Sequence, residues 1–155
     1  MTRYLFLFFT IYLFSCTQTR NNDISNENTH QHMSVNTKLD LRHDSAMVSL
    51  IGDIKTSMLG YMEIAHPEYT AADVDHCVVI LEEYLTTLGS AADPSSGLDI
   101  VKKTVLKLND LNEKSGGQLI ETDQREMIAE LIINAGFKKG FNTQEEDITE
   151  EWREW

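Results

Sequence analysis

Apolar residues recur at steps of three and four between residues 39 and 135, in four stretches that are separated by turn signals. This spacing places them on one face of an α-helix, which has about 3.6 residues per turn. None of the stretches shows the alternation of apolar and polar residues that is typical of strands, so a sheet is disfavoured. Four helices joined by short loops favour a compact antiparallel bundle. We therefore predict an all-α domain over residues 38–155.

Helix one is predicted to start in the region of Leu39, to run for about 20 residues, and to end at residues 60–62. Pro67 follows, and the residue before a proline avoids the α region, so His66 is expected to be extended. An extended junction is therefore predicted between the first two helices.

Helix two has the clearest boundaries. The sequence TAAD at residues 70–73 is a capping-box pattern, in which the Asp73 carboxylate returns to the Thr70 amide. Gly89 is predicted to end the helix. The apolar stripe between these signals is wide enough to face a core. It consists of Val74, Cys77, Val78, Leu81, Tyr84, Leu85 and Leu88.

Two further helices follow. A turn-rich loop over residues 89–97 is predicted to precede helix three, which runs from about Leu98 to Asn112. A start signal at residues 123–126 begins helix four, and Gly136 is predicted to end it. The predicted buried faces comprise Leu98, Ile100, Val101, Val105, Leu108 and Leu111 in helix three, and Met127, Ile128, Leu131, Ile132 and Ala135 in helix four.

The last eleven residues, EEDITEEWREW, combine six carboxylic side chains with two tryptophans. A short C-terminal helix, capped by Asp147, would place its large apolar residues on one face at i, i+4 and i+7. That face either docks onto the bundle and completes its core, or serves as an aromatic anchor for a basic partner. The candidate partner-binding residues are Ile148, Glu150, Glu151, Trp152 and Trp155.

The chain begins with MTRYLFLFFTIYLFSC, whose apolar stretch from Tyr4 to Phe14 is shorter than the roughly 20 residues that a membrane-spanning helix needs. One basic residue, an apolar run and a small residue before Cys16 are typical of a signal peptide. The sequence LFSC at residues 13–16 resembles the lipobox of bacterial lipoproteins. That resemblance implies removal of residues 1–15 and a diacylglyceryl thioether on Cys16 as the lipid anchor.

Residues 16–37 are predicted to be a disordered tether, because they contain few large apolar residues among Asn, Thr, Gln and Ser. Without residues 1–15, which carry only Arg3, the chain has 12 basic and 25 acidic residues and a formal charge of −13. Such a chain is repelled by nucleic acid, so nucleic-acid binding is disfavoured. Any partner that it attracts electrostatically is expected to be basic.

No catalytic residue, metal site or cofactor is predicted. Cys77 lies on the apolar stripe of helix two, and His76 points about 100° away from it, so a buried, unreactive thiol is expected. His30 and His32 fall in the tether without a neighbouring carboxylate or cysteine that would fix a metal geometry.

The stretch LNDLNEKSGGQLIETDQREMIAELI, followed by DITEEWREW, resembles the C-terminal portion of small helical bacterial proteins of unknown function. The resemblance implies a helical fold and carries no activity.

The leading hypothesis is a lipid-anchored protein of the bacterial cell envelope, at the inner or outer membrane, whose acidic helical domain binds a basic protein. One version is an immunity-type inhibitor that occupies the basic cleft of a toxin in the periplasm. The alternatives are an envelope hydrolase that uses acidic residues and a purely structural envelope lipoprotein.

Overall fold

The computed structural model describes residues 38–155. They form four helices, in the order α1 (Ser45–Ala65), α2 (Ala71–Gly89), α3 (Pro94–Lys114) and α4 (Thr122–Lys139), with no strand in this range. The prediction of an all-α bundle is confirmed.

The predicted signal peptide, the anchor Cys16, the tether and the histidines at positions 30 and 32 lie outside the described residues. Among the helices of residues 38–155, none combines the length and apolar character that crossing a membrane requires.

Helix α2 is the central element, because it packs against α1, α3 and α4, while α1 also packs against α4. Lys138 near the end of α4 pairs with Asp44 before α1 at 2.8 Å, so these two helices are antiparallel. The buried hydroxyl of Tyr84 donates to the carbonyl oxygen of Ile132 at 2.9 Å, which ties α2 to α4. Lys139, the last residue of α4, donates from Nζ to the carbonyl oxygen of Gly89, the last residue of α2, at 2.9 Å, so α2 and α4 run parallel.

The predicted capping box of α2 is confirmed at its carboxylate. The backbone amide and the hydroxyl of Thr70 each donate to Asp73 Oδ2 at 2.8 Å. The predicted stripe is also buried, except that Val78 is partly exposed and Ile80 takes a core position.

Helix α1 begins six residues later and ends later than predicted. Asp44 is its N-cap, and its carboxylate accepts hydrogen bonds from the amides of Ala46 and Met47. Leu39 is not helical; its amide instead donates to the Gly89 carbonyl at 3.1 Å, which secures the preceding segment against the end of α2. The predicted end at residues 60–62 is wrong, because the helix continues to Ala65.

The junction after α1 also differs from the prediction. His66 is the C-cap and adopts a left-handed conformation, with φ 48° and ψ 53°, rather than an extended one. A left-handed residue is a common way to end a helix, and here it turns the chain toward Pro67. The preference imposed by the following proline is overridden by the helix end.

Helix α3 starts four residues before the predicted position. Asp93 caps it by accepting from the Ser96 amide at 2.8 Å, and Pro94 occupies the first helical position, where its missing N–H costs nothing. The loop before α3 is correspondingly shorter. Leu98, predicted to be buried, is 45% exposed.

Helix α4 starts at Thr122, one residue before the predicted signal, and does not end at Gly136, which is buried within it. The helix ends at Lys139, and Gly140 adopts the left-handed φ of 78° that glycine tolerates. The amide of Phe141 then donates to the Gly136 carbonyl at 2.9 Å, as in a Schellman-type end. This arrangement directs the remaining residues back over the bundle.

Candidate protein-binding surface

Residues 141–155, hereafter the C-terminal segment, lie across α3 and α4. The ring of Phe141 covers Gly97 of α3, and the side chains of Asn142 and Ile148 cover Gly136 of α4. A Cβ atom at either glycine would overlap these side chains, so both helices carry glycine where the segment passes. The segment is therefore part of the folded domain.

The end of the segment is held by two hydrogen bonds between its backbone and the side chain of Asn109. Asn109 of α3 is only 8% exposed; its Nδ2 donates to the Trp152 carbonyl at 2.8 Å, and its Oδ1 accepts from the Glu154 amide at 3.3 Å. The ammonium of Lys102 also lies 5.7 Å from the centre of a Trp152 ring, within cation–π range. The side chain of Asn109 thus fixes the two peptide groups that flank Arg153.

The segment is not helical, so the predicted short C-terminal helix is wrong. Asp147 Oδ1 accepts hydrogen bonds from the amide of Thr149 at 2.9 Å and from its hydroxyl at 2.6 Å, and Asp147 pairs with Arg153 at 3.1 Å. Burial raises the pKa of Asp147, but the bonds from Thr149 and the charge of Arg153 outweigh burial and lower it. These local bonds favour a turn over a helix that would be too short to be stable by itself.

The predicted partner-binding residues separate into two groups. Ile148, Trp152 and Trp155 are partly buried and pack against the core, as in the docked interpretation of this face. Glu150 and Glu151 are exposed. The structure therefore brings the aromatic residues against the bundle and leaves the carboxylates in solvent.

Acidic charge is concentrated at one end of the bundle. We call the end at which residue 38 joins the bundle the near end (residues 38–50, 84–103 and 134–146) and the opposite end the far end (residues 57–76 and 108–127). The near end has six acidic and six basic residues, whereas the far end has nine acidic and two basic residues. The acidic residues of the far end are Glu63, Glu68, Asp73, Asp75, Asp110, Glu113, Glu121, Asp123 and Glu126.

Cys77 is fully buried, and burial raises the pKa of its thiol to about 12, so the predicted unreactive character agrees with its position.

Several carboxyl groups have lowered pKa values. The main causes are hydrogen bonds from His43 to Asp40, from Lys138 to Asp44, from Thr70 to Asp73 and from Lys107 to Glu83. These carboxylates are held in the ionised form.

The uneven charge was missed at the level of sequence because it depends on helix direction. The acidic residues of the far end come from two separate stretches of the chain, and only an alternating up-and-down order of the helices brings them together. Asn109 was also missed, although a polar residue between Leu108 and Leu111 on the apolar face of α3 is a detectable signal.

No protein-family model, curated protein or solved structure matches this chain.

Proposed function

We propose that this protein is a lipid-anchored component of the bacterial cell envelope that binds a basic protein through its acidic far end and the exposed carboxylates of its C-terminal segment. The observation that carries the proposal is the charge difference between the two ends of the bundle. The lipobox-like sequence at residues 13–16 supports the anchor.

Residue 38 joins the bundle at the end that lies opposite the acidic residues. A chain anchored at Cys16 reaches the bundle at its near end, where acidic and basic residues balance. The far end, with a net charge of −7, lies at the opposite end of the bundle from residue 38. Clustered charge of one sign accelerates association with a partner of the opposite sign and makes the rate dependent on salt.

A toxin with a basic active-site cleft is one kind of partner that would be attracted to this acidic surface. Under this version the domain acts as an immunity-type inhibitor, in which the carboxylates occupy the cleft. Cells that express the protein would then survive the toxin, whereas cells that express a charge-neutralised variant would not.

The test is crosslinking of the full-length protein in its native membrane, followed by identification of the crosslinked peptides. We expect a basic partner crosslinked near the far end or near residues 150–151. The variant Glu121→Gln/Asp123→Asn/Glu126→Gln should lower the yield, because it removes three charges from the far end.

A matched control removes three carboxylates elsewhere, as Asp53→Asn/Asp99→Asn/Glu130→Gln, all of which are exposed. Equal loss in both variants would mean that total charge alone matters. A partner that is acidic, or one whose yield neither variant changes, would refute the proposal.

A further inference from the structure

Ile64 is the most exposed large apolar residue between residues 38 and 155. Its side chain is 83% exposed, whereas the other exposed large apolar residues of this range are 38–53% exposed. It lies in the last turn of α1, and none of residues 61–67 is buried, although five of the seven are apolar. We call residues 61–67 the α1 tip. Apolar residues that remain exposed together are typical of a contact surface for another molecule.

The α1 tip is held in place by hydrogen bonds from the residues that follow it. The buried hydroxyl of Tyr69 donates to the carbonyl oxygen of Met58 at 2.7 Å, which fastens the chain after the tip to α1. The amide of Glu68 donates to Gln118 Oε1 at 3.1 Å, which links the tip to the loop between α3 and α4. An apolar side chain on an ordered support loses little conformational entropy when a partner covers it. Ile64 is therefore presented in a form that is ready to bind.

The α1 tip belongs to the acidic far end of the bundle. Residues 57–76 contain no Lys or Arg. The two basic residues of the far end line other grooves, Lys114 between α2 and α3 and Arg125 beside the C-terminal segment. Of the nine acidic residues at this end, Asp75 alone forms an ion pair within residues 38–155, with Lys55 at 2.8 Å. A partner that covers the tip therefore meets unpaired carboxylates, and charge complementarity favours a basic surface.

We propose that Ile64 is the apolar anchor for the basic protein partner, and that it enters an apolar depression whose rim carries Lys or Arg residues paired to Glu63 and Glu68. This inference rests on the proposed function and specifies the contact at its centre. A side chain that protrudes this far is complementary to a concave surface. The carboxylates attract the partner over a distance, and burial of Ile64 then slows its release.

Site-specific photo-crosslinking of the full-length protein in its native membrane tests the inference. The photoreactive amino acid p-benzoylphenylalanine replaces either Ala65, which is exposed and follows Ile64, or Ser49, which is exposed and follows Val48. Both positions are in α1, but position 49 belongs to the charge-balanced near end. We expect position 65 to capture the same basic protein that general crosslinking identifies, and position 49 not to capture it.

A matched pair of variants separates the apolar anchor from the charge. Ile64→Ser and Val48→Ser each replace an exposed β-branched residue of α1 and leave the charge unchanged. Only Ile64→Ser should lower capture at position 65, by about tenfold at expression levels below saturation, because serine lacks the apolar area that the partner buries. Ile64→Val should retain most of the capture. Because both positions are exposed, all three variants should fold, and circular dichroism of the purified proteins checks this.

Capture of a basic partner by general crosslinking but not from position 65 would overturn the role of Ile64 and leave the proposed function intact. Equal effects of Ile64→Ser and Val48→Ser on capture would also overturn that role. Capture of an acidic protein, or of lipid alone, at position 65 would contradict the charge complementarity. Absence of a basic partner in both crosslinking experiments would refute the proposed function, and this inference with it.

Discussion

Gly97→Ala tests whether the C-terminal segment packs on α3 as described. In most helix interiors this change stabilises a protein by up to about 1 kcal/mol, because alanine has the higher helix propensity. At Gly97, the added Cβ would overlap the ring of Phe141. Overpacking of this kind costs about 1–3 kcal/mol. We therefore expect a net loss of about 1 kcal/mol, which lowers the melting temperature by about 4 °C for a domain of this size.

The matched controls are Gly52→Ala and Gly60→Ala in α1, where the added Cβ would have no neighbour within 4 Å. Each should stabilise the protein by up to about 1 kcal/mol. The sign of the effect thus distinguishes a glycine covered by the segment from an uncovered one.

A double-mutant cycle with Phe141→Ala completes the test. Once the ring is removed, Gly97→Ala should become stabilising, which gives a coupling free energy of about 2 kcal/mol between the two positions. Denaturant unfolding of all four proteins measures this coupling. If Gly97→Ala stabilises the parent protein as the control glycine variants do, then Phe141 does not lie on Gly97 and the described packing is wrong.

Three further predictions concern individual side chains. Trp152→Ala should lower the free energy of unfolding by about 2 kcal/mol, because a partly buried tryptophan is lost from the core, and unchanged thermal melting would contradict its docking. Asp44→Asn keeps an N-cap but loses the bond from Lys138 that lowers the pKa of Asp44 from 3.8. The parent should be more stable at pH 7, and its advantage should disappear as the pH falls through the lowered pKa, as acid titrations of both proteins would show; a constant difference would refute this assignment. In a Cys16→Ser chain, the thiol of Cys77 should resist iodoacetamide at pH 8 until the protein is unfolded, and rapid labelling of the native protein would contradict its burial.

The helices could be predicted because their signals are local. The spacing of apolar residues in α2 depends on helix geometry alone, and the Thr70 cap requires only residues within one turn. The C-terminal boundaries of α1 and α4 could not be predicted in the same way. Glycine usually indicates a helix end, yet Gly136 lies inside α4, where it allows Asn142 and Ile148 to approach. That reason is tertiary and is not visible in the local sequence.

In the candidate protein-binding surface, too, features with a local cause could be predicted, whereas features that depend on tertiary contacts could not. The exposure of Glu150 and Glu151 follows from their charge, and docking of the tryptophans follows from their apolar area. The path of the C-terminal segment could not be predicted, because the contacts of Asn109 with the Trp152 carbonyl and the Glu154 amide connect parts of the chain that are more than forty residues apart. The helical pattern of Ile148 and Trp152 is overridden by these contacts and by the turn at Asp147.

The most direct test of the proposed function is the mass of the mature protein recovered from its native membrane. Proteolysis and mass spectrometry should yield an N-terminal peptide that begins at Cys16 and carries a thioether-linked diacylglyceryl group. In a Cys16→Ser variant this lipid should be absent and the protein should no longer be retained by the membrane as a lipoprotein. An unmodified chain that begins at Met1 and is recovered in the soluble cytosolic fraction would contradict the lipid anchor and the envelope location on which the proposed function depends.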